Sequence, residues 1–133
     1  MEERNYKAVL EYCNKDIEPI EKIKLIDVSD AISLDTLIKD SASEAVVIDV
    51  AYYGVINVHN EKSKDKKDYD KIVIVDTEKR KYVTGSKSFL NSLQDIYENL
   101  NGLGIDNPEK ISIKVYKRSS KNYSGDFITC SLW

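Results

Sequence analysis

The sequence predicts a β-rich α+β fold, and three observations carry that prediction. Residues 45–58 are a long run of β-branched and aromatic residues, residues 111–116 and 127–133 alternate with period two, and residues 89–100 carry one apolar stripe at helical spacing. At 133 residues, 41% hydrophobic and 32% charged, the chain is about one soluble domain in size, able to bury a core without staples.

Taken in order, Tyr6, Val9, Leu10 and Cys13 fall at helical spacing, which predicts a short amphipathic helix over residues 4–13. Pro19 ends it, and Lys22-Ile-Lys-Leu-Ile-Asp-Val28 reads as extended. Ser33 is placed to cap a short helix over residues 33–39, with Asp35 at its favourable N-terminal end. Residues 41–44 read as a turn. In the run 45–58, Gly54 interrupts Val46, Val47, Ile48, Val50, Tyr52, Tyr53, Val55, Ile56 and Val58, and marks a bulge or bend. A mixed-charge loop over residues 60–70 leads to a buried strand, Lys71-Ile-Val-Ile-Val-Asp76, then a turn and the short strand Lys81-Tyr-Val-Thr84. The helical stripe follows: Phe89, Leu90, Leu93, Ile96, Tyr97 and Leu100. Thr84, Ser86 or Ser88 can cap its start, and Gly102 or Gly104 can close its end.

The chain finishes on a hairpin. Ile111, Ile113 and Val115 alternate with Ser112, Lys114 and Tyr116; Ile128, Cys130 and Leu132 alternate with Phe127, Thr129, Ser131 and Trp133. From residue 45 onward the order is strand, strand, strand, helix, strand, strand. That is the order of an OB-fold, a five-stranded Greek-key barrel with a helix between strands 3 and 4. The division that follows is an N-terminal helical extension over residues 1–21 and an OB-fold-like nucleic-acid-binding domain over residues 22–133.

Charge points to the same hairpin. From Lys110 on, four lysines and one arginine face only Asp126, so this region is locally +4 in a chain of net charge −3. Lys114, Tyr116 and Arg118 fall opposite the apolar residues. A cationic face with interleaved aromatics suits single-stranded nucleic acid, because cations track phosphates while rings stack on unpaired bases. The plainer reading is a solvated hairpin whose outer face is polar by default. Lys114, Arg118 and Lys121 are the candidates to neutralise phosphates, with support from Lys71, Lys81 and Lys117. Tyr116 and Tyr123 are the candidates to stack on bases, with Tyr82 and Tyr52 beside them. Trp133 ends the last strand, where it can stack on a base, mediate a homodimer or cap the barrel.

Other chemistries find little material. Cys13 and Cys130 are far apart and His59 is the one histidine, so neither a zinc site nor another cofactor is indicated. A Cys130–His59 nucleophile pair needs an accessible thiol, and Cys130 sits on the apolar face of its strand. Gly85-Ser-Lys-Ser88 lacks the upstream glycine and the Gly-Lys step of a phosphate-binding loop, and helix capping accounts for it. No enzyme is expected. No apolar run approaches the roughly 20 residues that span a bilayer, and Met1-Glu-Glu-Arg does not open like a secretory signal, so an intracellular setting is expected.

Lys81-Tyr-Val-Thr-Gly-Ser-Lys-Ser88 with the helix after it, Ile113-Lys-Val-Tyr-Lys-Arg-Ser-Ser-Lys-Asn-Tyr123 and Phe127-Ile-Thr-Cys130 resemble small single-stranded DNA-binding proteins of phages and plasmids of Gram-positive bacteria. Lys24-Leu-Ile-Asp-Val-Ser-Asp-Ala31 with Ser33-Leu-Asp35 is similar to the segment preceding their barrel. The resemblance implies an OB-fold that coats single-stranded DNA in replication or recombination, with replication or recombination proteins as further partners. The rival expectation is a phage-encoded protein-interaction module that binds and inhibits or recruits a host protein. The first 44 residues, with 11 acids against 6 bases, would supply its docking surface.

Overall fold

One long strand organises the molecule. The computed structural model describes residues 6–40, 45–60, 68–105, 108–119 and 126–133. Its central element, β3 (Ala45–Asn60), spans 16 residues, more than one partner strand can cover. On one side lies β4 (Asp68–Asp76), antiparallel, pairing from Val50↔Asp76 to His59↔Asp68. On the other, two strands share the edge. β6 (Ile111–Ser119) pairs with residues 45–50, and β1 (Tyr6–Cys13) pairs with residues 54–60. β5 (Lys81–Thr84) extends the sheet beyond β4, and β7 (Asp126–Leu132) extends it beyond β6. The two-residue β2 (Ile32–Ser33) adds a parallel edge to β5. The result is a β-rich α+β fold whose sheet, ordered β2-β5-β4-β3-β6-β7 with β1 on β3, curls into a half-barrel.

The strands and the long helix expected after residue 45 are present. The N-terminal third corrects two expectations. Residues 6–13 are a strand rather than a helix, and the segment read as extended is the helix α1 (Pro19–Ile26). The unpaired edge of β3 explains the first correction: its backbone groups need partners, and an adjacent strand supplies them, whereas an isolated helix of that length is marginal in water. The second follows from Pro19, which stands at the first helical position, where its missing N–H costs nothing. The N-terminal segment is therefore a strand and a helix packed on the sheet rather than a helical extension.

The inner face of the sheet is buried, and so is the outer face over β4 and the second half of β3. Inside the curl lie Ile48, Val50, Tyr53, Val55, Ile72, Ile74, Ile113 and Val115. They meet Leu34 and Ile38 of α2 (Leu34–Asp40) and Phe89 and Leu93 of α3 (Lys87–Gly102). Outside it, Ile56, Val58, Val73 and Val75 pack under Leu25 of α1, with Leu10 and Tyr52 against them. Burial on both faces accounts for the unbroken apolar run in β4. Within β3 the inward set changes from even to odd positions because the register shifts between Val50 and Tyr52. This bulge, rather than Gly54, re-aims the strand. Gly54 serves a different need: a β-carbon there would collide with Leu25 and meet Leu10 Cδ1 at 3.1 Å and the Tyr12 carbonyl at 3.2 Å. Its bare backbone lets α1 and β1 seat against the sheet.

The helix ends follow the sequence. Ser33 Oγ accepts from Thr36 N–H at 3.3 Å, and Ser86 Oγ accepts from Phe89 N–H at 3.2 Å while donating to the Ile128 carbonyl at 2.7 Å. Gly104, at φ 85°, closes α3. Ser86 thus caps α3 and ties it to β7.

Candidate nucleic-acid interface

Strand parity places the candidate side chains. Val46, Ile48 and Val50 of β3 stand opposite Val115, Ile113 and Ile111 of β6 and point inward. The alternate residues face out: Val47 beside Lys114, Ala45 beside Tyr116 and Asp49 beside Ser112. β7 continues this face, with Ser131 opposite Lys114, Thr129 opposite Tyr116 and Phe127 opposite Arg118. Trp133 lies next to Ser112, to whose carbonyl its N–H donates at 2.9 Å, and is 70% exposed.

Lys114, Tyr116 and Arg118 are therefore brought together, as the alternation predicts. Lys114 Nζ lies 5.8 Å from the centre of the Tyr116 ring. That cation–π contact holds both groups on the outer surface. Lys117 and Arg118 are exposed, and no carboxylate among the described residues pairs with either. Asp49 is the acid of this face; it accepts from Ser112 Oγ at 2.6 Å. Along the far edge α3 closes in, its Ser92 hydroxyl 2.8 Å from that of Thr129. Beside Phe127, a groove of about 500 Å3 runs between Asp35, Ser86, Lys87 and Ser88. Phe127 adds one ring to the candidate set beside Trp133, and the outward alternation of residues 127–133 is the signal that marks it.

Two candidates are corrected. Tyr82 stands opposite Ile74, is 6% exposed, and belongs to the inner core. Its hydroxyl donates to Asp76 Oδ2 at 3.1 Å, so the ring is not available for stacking. Burial, then this bond to a carboxylate, raises its pKa. Asp76 is itself buried, which pushes its pKa up, but Arg80, the Glu78 N–H and Tyr82 outweigh burial and hold it below the usual carboxylate value. Lys81 stands opposite Val75 on the outer side of the sheet and reaches α1. Its ammonium donates to the Lys24 carbonyl at 2.9 Å and the Asp27 carbonyl at 2.6 Å, and pairs with Asp30 at 2.7 Å. A lysine closing the last carbonyls of a helix neutralises the negative end of its dipole, which is a structural task.

Of the supporting residues, Lys71 lies 5.6 Å over the Tyr69 ring, and Tyr52 packs under α1, where burial raises its pKa. Lys121 and Tyr123 lie outside the described residues.

Cys130 and His59 have separate partners. Cys130 is 5% exposed, its thiol 3.9 Å from the Phe89 carbonyl and pushed up to about 12 by burial. His59 Nδ1 meets Asp68 at 2.7 Å. Among the described residues no cluster of three or more His, Cys, Asp or Glu could hold a metal, and no helix is long and apolar enough to cross a membrane.

Comparison with known proteins gives no matching family, no similar curated protein and no similar solved structure.

Proposed function

We propose that this chain is a non-catalytic single-stranded DNA-binding protein of a phage or mobile element, coating DNA during replication or recombination in the bacterial cytoplasm. The observation that carries the reading is the outer face of β6 and β7, where Lys114, Tyr116, Arg118, Phe127 and Trp133 alternate with an inward apolar set. Rings and cations interleaved on one surface match the two halves of a single strand, its bases and its phosphates. In this reading β3, β4, β5, β6 and β7 are the five strands of an OB-like barrel, with α3 between the third and fourth. β1 is an addition to the sheet beside β3, and α1 covers the outer face of β4. That cover leaves the β6–β7 face for a ligand.

Trp133 is the chain's one tryptophan, so its fluorescence reports on this face alone. Oligothymidine should quench it saturably, and Tyr116→Ala should weaken the titration. Unchanged emission together with no gel shift would defeat the reading.

A second reading rests on α1, where Ile20 and Ile23 are 67% and 68% exposed beside Glu18 and Glu21. Such a face suits a protein partner, as in a module that binds and inhibits a host protein. A stoichiometric complex with a host protein, lost on Ile23→Glu and formed without DNA binding, would favour it.

A further inference from the structure

A second concave site lies away from that face. The end of β1, the middle of β3 and the second half of α3 enclose a cavity of about 460 Å3 lined by Tyr12, Asn14, Tyr53, Gln94, Tyr97, Glu98 and Asn101. Three rings form its walls. Tyr53 has Tyr12 at 5.8 Å and Tyr97 at 5.2 Å, centre to centre, tilted by 53° and 35°. The register shift between Leu10 and Tyr12 is what turns Tyr12 toward Tyr53.

The polar groups are more informative. Asn14 is 7% exposed and fixed by the β3 backbone: its Oδ1 accepts from Tyr53 N–H at 2.8 Å, and its own N–H donates to the Tyr53 carbonyl at 3.2 Å. With the oxygen so held, the amide nitrogen is aimed away from the strand. That nitrogen and the Tyr97 hydroxyl are both buried without a hydrogen-bond partner. Burial pushes the Tyr97 pKa up to about 12, tempered by a weak hydrogen-bonding interaction with the Asn14 side chain. Buried polar groups in folded proteins are nearly always paired, so two orphans side by side in a cavity wall indicate a missing partner.

The chemistry of that partner is constrained. Both orphans carry a hydrogen to donate, so they call for an acceptor rather than a cation. A phosphate would meet Glu98 with no lysine or arginine among the lining residues. A neutral planar ring bearing a carbonyl satisfies the donors and stacks on the tyrosines. Gln94 and Asn101 can pair with both donors and acceptors along its edge. The volume lies within the usual range for small-ligand pockets, about 300–1,000 Å3.

We propose that this cavity receives an unstacked pyrimidine base of the bound single strand, with a ring carbonyl on Asn14 Nδ2 and the Tyr97 hydroxyl and the ring against Tyr53. The proposal rests on the single-strand reading and adds a base-specific pocket to it. Such a pocket would give the protein a base preference that stacking and phosphate contacts alone do not supply.

The test is NMR of the isotope-labelled chain titrated with thymidine, which carries the base without phosphates, and then with an oligothymidine. Thymidine should shift the Asn14 side-chain amide and the Tyr97 ring saturably while Lys114 and Tyr116 stay still; the oligonucleotide should shift both sets. Tyr97→Phe should weaken thymidine binding several-fold without lowering the melting temperature, because it removes an unpaired hydroxyl. If the oligonucleotide moves Lys114 and Tyr116 but thymidine leaves Asn14 and Tyr97 in place, the pocket is refuted and the single-strand reading stands. If thymidine binds at Asn14 and the oligonucleotide leaves Lys114 and Tyr116 unshifted, the pocket stands as a nucleoside site and the coating function fails. Tyr97→Phe binding thymidine as tightly as the wild type would also overturn the base contact.

Discussion

Replacing Gly54 by alanine tests how the N-terminal segment is mounted on the sheet. The added carbon would collide with Leu25, which is 1% exposed, and press on Leu10 and the Tyr12 carbonyl. A buried leucine has little room to turn, so either the contact is strained or α1 lifts. Overpacking of this kind costs about 1–3 kcal/mol, and losing the burial of one leucine costs about 1.5–3 kcal/mol. Both routes give about 2 kcal/mol, or a fall in melting temperature of about 6–10 °C for a chain of this size. Urea and thermal unfolding of Gly54→Ala, Leu25→Ala and the double variant provide the assay. Leu25→Ala removes the colliding atoms, so the double variant should be markedly more stable than the sum of the singles predicts. Additive losses, or a neutral Gly54→Ala, would refute the packing of α1 and β1 over the bare backbone of Gly54. Oligothymidine affinity should not change, because Gly54 serves the face that α1 covers.

Other outcomes separate binding residues from structural ones. Tyr116→Ala should weaken oligothymidine binding about 5- to 150-fold, the loss of one stacked base, with little change in stability on thermal melting. Tyr82→Phe should do the reverse, costing about 1–2 kcal/mol through its lost bond to Asp76 and leaving affinity intact in the same two assays. Lys81→Met should likewise destabilise by about 1–2 kcal/mol, since the α1 carbonyls lose their donor, and leave the salt dependence of binding unchanged. At high pH, burial raises the Cys130 thiol from 9.0 and the Tyr97 phenol from 10.0, each to about 12. Groups whose pKa is raised by folding contribute their full stability below the unfolded values. That contribution is lost as pH climbs toward 12, so melts between about pH 9 and 12 should show a progressive loss of about 3–6 kcal/mol, the upper figure being both shifts taken in full over that range. Cys130→Ala, compared with the wild type over the same range, should flatten part of that fall.

The C-terminal two-thirds were legible because their periods are unambiguous. Residues 111–116 and 127–132 alternate strictly, and Phe89, Leu93 and Ile96 repeat only as a helix does. The N-terminal third was not. Tyr6, Val9, Leu10 and Cys13 satisfy a helical spacing by coincidence, while the edge of β3 that recruits them is known only once β6 has been placed. Lys81 and Tyr82 show the limit of adjacency as a signal. A basic residue beside an aromatic looked like Lys114 and Tyr116, but both faces of β4 and β5 are covered, and no local pattern announces that cover. The tyrosine-lined cavity was invisible for a different reason: Tyr12, Tyr53 and Tyr97 come from three distant segments and meet only through tertiary packing.

The most direct test of the central claim is fluorescence anisotropy of a labelled oligothymidine of roughly 30 nucleotides, longer than the site of one OB-fold. If Lys114 and Arg118 each neutralise one phosphate, the logarithm of affinity should fall with the logarithm of salt at a slope of about −1.4. Between about 50 and 200 mM salt that is a loss of about 7-fold, and Arg118→Ala should reduce the slope to about −0.7. No anisotropy change at low salt, or binding indifferent to salt and to Arg118→Ala, would contradict a cationic face that tracks a single strand.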